Sequence, residues 1–453
     1  MRLSKITPAV CVLALSVIAS AQGATLKAGV AKVDITPPPD LSMWGYGSRK
    51  NPSTGTLDPL YARVLVLEAG ETRLGLVALD LGRCFGPGSL ERLRNEVKTS
   101  AGISYVLAAA SHTHSGPVIQ DDYPEGVPAW EASAIEKIAE AVREAHQRVI
   151  EVRLGTGYGT TYIGHNRLRP NPDGTVTWFE RNLTKVPTSP VDPSVAVLRL
   201  DTTEGKPLAI LVNYACHPVV FGADNLQYSA DFPGVMTKTV EEAFGGQPLC
   251  IFLQGAPGDI NPYYAVTPLE QDAVKMRDWT GRHLGEEAAR VAKGIRTEAA
   301  PDASLDFAED LLPFHLRWNP EQFEQALLAT FGAKALQSYA PHMKGELKLP
   351  VTTLLINKRI ALMGMPGEPF VSFQTSWRDR CPVPDAFFAG YANGYFGYFP
   401  TIRAATLGGY GAASSSTWIE VGAGERMVDH TVVKTYEMLG RLSDLPEDLK
   451  THR

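Results

Sequence analysis

The sequence predicts a mixed α/β fold, in which stacked β-sheets are flanked by helices within one large domain. Short apolar runs bounded by turn residues recur along the chain, which is typical of buried strands. Other segments place alanine, isoleucine and valine among charged residues at helical spacing. Some apolar runs are joined by a short turn and others alternate with helical segments. This mixture favours stacked sheets with helices on the outside.

The individual elements follow from the same patterns. Seven apolar runs are predicted to form strands, at residues 60–69, 74–81, 103–110, 208–214, 249–254, 351–356 and 360–365. The first two are joined by Gly70-Glu71-Thr72, so we expect them to pair with each other. Four amphipathic segments are predicted to be helices, at residues 133–149, 235–244, 272–295 and 428–442. Glycine and proline are spread evenly, which suits many tight turns in one compact body.

The first residues have the pattern of a secretory signal peptide. Arg2 and Lys5 precede an apolar core, and Ala19-Ser20-Ala21 fits the small-x-small cleavage rule. The apolar run is too short to span a bilayer, and no later stretch has the length that a transmembrane segment needs. We therefore expect a signal peptide at residues 1–21, no transmembrane anchor, and a mature chain from residue 22 to 453 that is secreted or periplasmic.

Charge and cysteine content exclude two classes of site. The chain has 43 basic and 49 acidic residues, a net charge of −6, and no run of lysine or arginine, which argues against nucleic-acid binding. Four cysteines remain after the expected cleavage, and none forms a CxxC pair that would indicate a thiolate metal site. They allow three disulfide pairings, and the sequence is compatible with one disulfide or none; they are Cys84, Cys216, Cys250 and Cys381.

The most informative motif is Ser111-His112-Thr113-His114-Ser115-Gly116-Pro117, directly after the predicted strand at 103–110. Two imidazoles two positions apart project from the same side of an extended backbone. Small residues flank them, so the backbone can approach an ion or a substrate closely. The motif predicts a metal site at a strand end; the alternative is a polar turn.

Other chemically active side chains also follow predicted strands. His217 comes after the strand at 208–214, and Glu368 lies just past the strand at 360–365. Their plainer interpretations are a core histidine and a carboxylate that caps a helix starting at Pro369. The glycine-rich loop at 254–262 is explained equally well as a tight turn. The tyrosines between Asn393 and Tyr398 are explained equally well as residues of a surface loop. Loops at strand ends often carry function on a rigid frame, so together these segments fit one site.

At these residues the chain resembles the catalytic N-terminal domain of the neutral/alkaline non-lysosomal ceramidases. The most specific match is His112-Thr113-His114-Ser115-Gly116-Pro117, and the whole resemblance runs from about residue 27 to 420. The other matching segments are Gly29 to Pro37, Gly45-Tyr46-Gly47, Leu60-Tyr61-Ala62-Arg63, Ala78 to Gly82, Asn166-Arg167, the strand ending at His217, Gly255 to Pro262, Pro366-Gly367-Glu368 and the tyrosines from 393 to 398.

The resemblance implies one zinc ion per chain, and it assigns a role to each site residue. The implied zinc ligands are His112, His217, Glu368 and Tyr398. His114 is implied to carry a proton between water and the leaving amine. Arg167 is implied to contact the substrate near the reacting carbonyl. Asn261 stands where ceramidases have a serine, so we expect water activated by the metal to attack, with Asn261 positioning the substrate.

The implied activity is that of a secreted zinc hydrolase, with residues 22–453 as its catalytic domain, acting on a linear amide of a small molecule or lipid. Esters or lactones, and peptide or sugar amides, remain alternatives for the same site. An alternative from another functional class is a binding protein that has the hydrolase fold but no catalytic activity. Ceramidases carry a C-terminal β-sandwich domain for which this chain has no room after residues 428–442. That difference and Asn261 favour an amide other than long-chain ceramide, with contact to a membrane surface left open.

Overall fold

The computed structural model describes residues 24–333 and 345–442. The expected signal peptide at 1–21 lies outside these ranges and stays a prediction. Within them, no helix has both the length and the apolar character needed to cross a bilayer.

The described residues form both strands and helices, and several strands follow one another without a helix between them. The strands are β1 Lys27–Asp34, β2 Gly55–Thr56, β3 Tyr61–Ala69, β4 Thr72–Leu79, β5 Tyr105–Ala110, β6 Ile150–Thr160, β7 Gly164–Asn166, β8 Leu168–Pro170, β9 Val176–Trp178, β10 Ser194–Thr202, β11 Pro207–Tyr214, β12 Gln227–Tyr228, β13 Leu249–Gln254, β14 Ile260–Pro262, β15 Leu305–His315, β16 Glu346–Ile356, β17 Ile360–Gly364, β18 Glu368–Pro369, β19 Asp385–Ala389 and β20 Tyr398–Phe399. The helices are α1 Pro87–Ala101, α2 Ala129–Gln147, α3 Asp231–Ala243, α4 Ala273–Gly294, α5 Pro320–Phe331, α6 Val371–Arg380, α7 Ile402–Leu407 and α8 Ala423–Met438.

Two large sheets organise these elements. The first has eight strands in the order β13-β11-β10-β6-β1-β3-β4-β5, and the second has four in the order β15-β16-β17-β19. Most neighbours are antiparallel, but β4 and β5, β11 and β13, and β17 and β19 are parallel pairs. A parallel pair needs a crossover connection, and α1, α3 and α6 supply these three crossovers.

The two sheets stack face to face, and helices cover their outer faces. Leu65 and Leu67 of β3 pack in one core cluster with Leu354, Leu362 and Phe387 of the second sheet. The alternate residues of β3 pack instead with residues of α1 and α2 on the outer side. Burial on both faces explains the uninterrupted apolar stretch Val64–Leu67 in the middle of β3. The predicted class, stacked sheets flanked by helices, is confirmed.

Most predicted elements are present with shifted ends. All seven predicted strands form, and β3 pairs with β4 in the expected antiparallel manner. The four predicted helices correspond to α2, α3, α4 and α8. The helix start expected at Pro369 is wrong, because Glu368 and Pro369 form β18 beside β20. The Glu368 N–H donates to the Gly397 carbonyl at 2.9 Å, and α6 begins only at Val371.

The four cysteines among the described residues are all free thiols, so the disulfide that the sequence allowed between them does not form. Cys84, Cys216 and Cys250 are buried. Burial raises the pKa of the Cys84 thiol to about 11, so it stays protonated at neutral pH. These thiols act as small apolar core residues.

Asp231, at the start of α3, makes folding stability depend on pH. Its carboxylate is buried and accepts the N–H groups of Phe232 at 2.6 Å and Phe221 at 3.2 Å. Burial raises its pKa to about 6. The unfolded value is about 3.9, so the folded state binds more protons between these two pH values. Its contribution to stability therefore falls as pH rises from about 4 to about 6.

The variant Asp231→Asn removes this titration. Relative to the wild type, its free energy of unfolding should increase by roughly 3 kcal/mol between about pH 4 and pH 7. Urea unfolding of both proteins at several pH values measures the difference. Asp40→Asn, at an exposed carboxylate, is the control. A difference between wild type and Asp231→Asn that does not change with pH would contradict the assignment.

Candidate metal centre

The ends of the three parallel strand pairs meet at one place. His112 follows β5, at one edge of the first sheet, and His217 follows β11, near the other edge. Glu368 follows β17 of the second sheet, and the segment 390–398 follows β19. The carboxyl ends of parallel strands present their loops on the same side, so three βαβ units deliver side chains to a common point.

Gln254, the last residue of β13, ties the two edges of the first sheet together. Its side-chain amide donates to the carbonyl of Ser111 and to the carbonyl of Cys216, both at 2.9 Å. These are the residues directly before His112 and His217. The Gln254 side chain is buried, and its backbone carbonyl accepts the Gly390 N–H at 3.0 Å. One amide therefore fixes the spacing of the two histidines.

Both histidines present Nε2 to the centre because backbone carbonyls engage Nδ1. Nδ1 of His112 lies 2.6 Å from the Gly82 carbonyl, and Nδ1 of His217 lies 2.6 Å from the Pro257 carbonyl. A carbonyl only accepts, so each Nδ1 carries the proton and each Nε2 keeps its lone pair. His112 adopts a left-handed backbone with φ of +71°. A non-glycine residue in this conformation is under strain, which is common where a site fixes a side chain.

Glu368 completes this group. Its Oε2 lies 3.1 Å from Nε2 of His217 and 3.4 Å from Nε2 of His112. Two tyrosine hydroxyls donate to the carboxylate, Tyr395 to Oε1 at 2.5 Å and Tyr391 to Oε2 at 3.3 Å. The Tyr391 ring also stacks on His112, with centroids 4.1 Å apart. The two tyrosines thus fix the orientation of the carboxylate, and its Oε2 faces the two imidazoles.

These separations match the donor atoms of a bound metal ion. Four ligands arranged tetrahedrally at roughly 2.0–2.1 Å from zinc stand about 3.3 Å apart, and the two distances from Glu368 lie on either side of that value. His112, His114 and His217 also form a group in which one ring nitrogen from each residue lies within 4.8 Å of the other two. The residues therefore fit a metal site, and the described part of the chain offers it both nitrogen and carboxylate ligands.

The protonation states of His217 and Glu368 favour the binding of a cation. Burial lowers the pKa of His217 to about 4, with Arg167 as a second cause. Burial acts to raise the pKa of Glu368, but the facing imidazoles of His112 and His217 outweigh it and hold that pKa well below its usual range. At neutral pH His217 is therefore a neutral imidazole and Glu368 an ionised carboxylate, the forms that bind a divalent metal.

His114 lies beside this group in a confined position. Its Nε2 is 3.1 Å from Nε2 of His112, and its Nδ1 is buried without a hydrogen-bond partner. Gly45, at φ +108°, packs so closely on the ring that a Cβ there would stand 2.4 Å from ring atoms. Burial and the neighbouring histidines lower the pKa of His114 well below its usual value. At neutral pH it is therefore a neutral imidazole beside His112.

Arg167 lies on the other side of the centre. Its guanidinium is buried and donates to the Asn261 side-chain oxygen at 3.0 Å, the Gly258 carbonyl at 2.7 Å and the Tyr398 hydroxyl at 2.9 Å. Its Nε has no partner. The Tyr398 ring lies 6.4 Å from the His217 ring, centroid to centroid. Arg167, Asn261 and Tyr398 therefore form a second cluster that borders the histidines.

The structure brings the sequence-predicted residues into these two adjoining clusters. His112, His217, Glu368 and His114 converge, whereas the Tyr398 hydroxyl is engaged by Arg167. The sequence predicts no role for Tyr391, and it places Tyr395 and Gln254 only within segments that fit the site. The spacing of the tyrosines does not show which rings face inward. The polar Gln254 at the end of an apolar strand was the signal for the third residue.

Comparison with known proteins decides the family. The family model described as "Neutral/alkaline non-lysosomal ceramidase, N-terminal" matches residues 26–275, more than half of the 453 residues. The chain belongs to this family. Five of the predicted site residues lie inside the matched range, namely His112, His114, Arg167, His217 and Asn261. Glu368 and Tyr398 lie beyond it.

Individual family members are more distant. A neutral ceramidase of Pseudomonas aeruginosa is 37% identical over 114 residues, which cover 24% of this chain and 17% of that protein. A neutral ceramidase of Drosophila pseudoobscura pseudoobscura is 24% identical over 288 residues, covering 58% of this chain and 39% of that protein. The chain thus matches less than two fifths of the length of either relative. The crystal structure of the Pseudomonas aeruginosa neutral ceramidase superposes with a TM-score of 0.73 at 20% identity, over 95% of this chain and 77% of that one, which shows a shared fold.

Removing the tyrosine behind Glu368 should weaken metal binding. Tyr395→Phe keeps the ring but loses the hydrogen bond to Oε1, so the carboxylate is free to turn away. We expect zinc affinity to fall about 10- to 100-fold, the usual cost of losing such support. Competition with a chelating dye measures it. Tyr391→Phe, which loses only the longer bond, should have the smaller effect, and unchanged affinity in Tyr395→Phe would contradict this role.

Proposed function

We propose that the chain is an exported zinc-dependent hydrolase that cleaves a linear amide, with residues 22–453 as one catalytic domain. The observation that carries the proposal is the convergence of two imidazole nitrogens and one carboxylate oxygen at metal-ligand spacing. Membership of the ceramidase family supports the amide, because its named relatives are neutral ceramidases. His112, His217 and Glu368 are the proposed zinc ligands, with Tyr398 as the fourth. Zinc held there would polarise the amide carbonyl and lower the pKa of water.

Arg167 is proposed to bind the carbonyl oxygen of the substrate as negative charge develops on it. Its guanidinium is 4% exposed and already oriented by three acceptors, so little reorganisation is needed during the reaction. These three bonds leave two of the five guanidinium N–H donors free, the Nε–H and the second hydrogen of Nη1. A fixed charge in a dry environment stabilises an oxyanion far better than the same charge in water.

Asn261 is proposed to position this arginine. Its side-chain oxygen accepts from Arg167, and its side-chain nitrogen donates to the Glu180 carbonyl at 3.1 Å. Both ends of the amide are therefore engaged, and an amide is not a nucleophile toward acyl groups. This arrangement supports attack by water without a covalent acyl intermediate.

His114 is proposed to carry the proton. As a neutral imidazole it can accept a proton from the attacking water and deliver it to the leaving nitrogen. An amine leaves only when protonated, whereas an alkoxide depends on this help less. A base held at this position therefore favours amides over esters and lactones as the natural substrates.

A single-turnover reaction in ¹⁸O-labelled water tests the proposed chemistry. Excess protein and an N-acyl amine should yield a carboxylic acid that carries one ¹⁸O atom, with equimolar amine released. A parallel panel of long-chain ceramide, short N-acyl amines, amino-acid amides and simple esters ranks the substrate classes. An acyl group trapped on a side chain would refute water as the nucleophile. No hydrolysis of any member by the zinc-loaded protein would favour a binding protein on a hydrolase frame.

A further inference from the structure

Asn393 stands in the chain between the two tyrosines that contact the metal centre. Tyr391 stacks on His112, and Tyr395 donates to Glu368. Asn393 is two residues from each of these tyrosines, and it is 7% exposed. The contacts of its side chain therefore bear on where both aromatic rings stand.

Asn393 joins the tyrosine segment to β5, the strand that leads to His112. Its backbone N–H donates to the Ala108 carbonyl at 2.9 Å, and its side-chain oxygen accepts the Ala108 N–H at 2.9 Å. One residue thus exchanges two hydrogen bonds with Ala108, as a residue of a neighbouring strand would. The first sheet ends at β5, and the Asn393 oxygen satisfies an N–H group of this edge strand.

The side-chain nitrogen of Asn393 ties the same segment to the second sheet. It donates to the Tyr105 hydroxyl at 2.7 Å and to Oε2 of Glu309 at 2.8 Å, and the Thr352 hydroxyl lies 3.2 Å from it. Tyr105 begins β5, whereas Glu309 belongs to β15 and Thr352 to β16. One amide therefore connects both stacked sheets to the segment that carries the two tyrosines.

Glu309 is an ionised acceptor for this amide. Arg94 donates to its two oxygens at 2.8 and 2.6 Å, and the Tyr105 hydroxyl donates to Oε2 at 2.6 Å. Burial acts to raise the pKa of Glu309, but these hydrogen bonds and the charge of Arg94 outweigh it and hold that pKa below its usual value. Hydrogen bonds to a charged group are stronger than those between neutral groups. The Asn393 amide is therefore firmly anchored.

The backbone of the tyrosine segment needs such an anchor. Tyr391 and Asn393 both have left-handed backbone conformations, with φ of +52° and +56°. Asparagine tolerates this conformation, whereas for a bulky residue such as tyrosine it is an outlier. Gly364 of β17 allows the segment to pack closely, because a Cβ there would stand 3.1 Å from the Cβ of Ala392. A strained segment keeps its geometry only where the surrounding contacts over-determine it.

We propose that Asn393 is a positioning residue for the metal centre and acts through Tyr391 and Tyr395. Its amide fixes the segment so that one tyrosine ring stacks on His112 and the other orients the Glu368 carboxylate. The inference rests on the proposed zinc site, but the order of the segment is measurable without the metal.

Asn393→Gly is the variant that tests this role, because glycine keeps the left-handed backbone and removes the side-chain amide. Its zinc affinity should fall about tenfold, the lower end of the usual cost of losing support for metal ligands. Asn357→Gly is the matched control. Asn357 has φ of +54° and its side-chain oxygen accepts the Ser304 N–H at 3.1 Å, but it lies in the turn between β16 and β17. The control should bind zinc as the wild type does in competition with a chelating dye.

Three further measurements separate positioning from a general loss of stability. With cobalt(II) in place of zinc, the visible absorption bands report ligand geometry, and they should shift in Asn393→Gly and in Tyr395→Phe but not in Asn357→Gly. In the metal-stripped protein, backbone hydrogen exchange within 390–398 should be faster in Asn393→Gly than in the wild type. Combining Asn393→Gly with Tyr395→Phe should lower zinc affinity by less than the product of the two separate factors, because both changes act on the same carboxylate.

Unchanged zinc affinity and cobalt bands in Asn393→Gly would overturn the positioning role, even if the free energy of unfolding falls. Fully multiplicative effects of Asn393→Gly and Tyr395→Phe would also overturn it. If Asn393→Gly does not fold, Tyr105→Phe, which removes the closest acceptor of the amide, takes its place. That variant should show a smaller loss of zinc affinity, and no loss would refute the role.

The same measurements distinguish this inference from the proposed function. A wild type that cleaves an amide while Asn393→Gly keeps full zinc affinity refutes the inference alone. A wild type that cleaves no amide, with zinc affinities that change as predicted, supports the positioning role and refutes the proposed function. A wild type that binds no zinc overturns both.

Discussion

His217→Ala should lose its bound zinc and, with it, hydrolytic activity. His217 is fully buried, its Nδ1 is tied to the Pro257 carbonyl, and its Nε2 stands 3.1 Å from Glu368. Alanine leaves a void at the metal position and an ionised carboxylate without its partner. Such a centre should bind zinc far more weakly, and turnover should fall to the background of the assay, because the proposed zinc would supply most of the electrophilic catalysis. Elemental analysis of the purified protein, alongside the hydrolysis assay, measures both effects.

His165→Ala is the matched control for the zinc count. His165 is also buried, at 1% exposed, but its Nε2 lies on the Phe179 carbonyl. It should keep one zinc per chain. A His217→Ala protein that folds and retains one zinc per chain would show that His217 is not a ligand.

His114→Ala should behave differently, with the metal kept and catalysis lost. A positioned acid–base group usually contributes about 10² to 10⁴ in rate, so kcat should fall by that factor. The zinc content should match the wild type, because His112, His217 and Glu368 remain. The kcat for amides should fall more than the kcat for activated esters, whose leaving groups need no proton.

The competing assignment makes the opposite prediction for the same variant. His112, His114 and His217 together form a group that could hold a metal through three imidazoles. Under that assignment His114→Ala would lose zinc as His217→Ala does. Loss of the metal from His114→Ala would therefore replace the proton-transfer role by a ligand role.

Much of the fold could be predicted because its strands are buried on both faces. The segments that form β3, β13 and β17 are mostly apolar and are followed by turn residues, a pattern that is visible in the sequence. The histidines and Glu368 could be predicted as site residues because each follows such a strand. What local patterning cannot give is the arrangement of the strands. His112 and His217 belong to opposite ends of an eight-stranded order, and tertiary contacts bring them together, among them Gln254 bridging Ser111 and Cys216.

The failures at Glu368 and in the tyrosine segment have related causes. Proline after an acidic residue favours a helix start, but the Glu368 N–H is taken by Gly397 in a short strand pair, so tertiary pairing overrode the local preference. In the segment 390–398, the hydroxyls of Tyr391 and Tyr395 donate to the Glu368 carboxylate, whereas the hydroxyl of Tyr398 accepts from Arg167. Sequence spacing carries no information on that division, because it depends on where β18 and β20 meet.

The central claim is that hydrolysis depends on a metal held by His112, His217 and Glu368, and a zinc titration tests it most directly. The protein is stripped with a chelator, dialysed, and titrated with zinc while the hydrolysis of an accepted N-acyl amine is followed. The account predicts no turnover in the stripped protein and a linear rise that stops at one zinc per chain. Full activity in the stripped protein, with zinc below detection by elemental analysis, would contradict it.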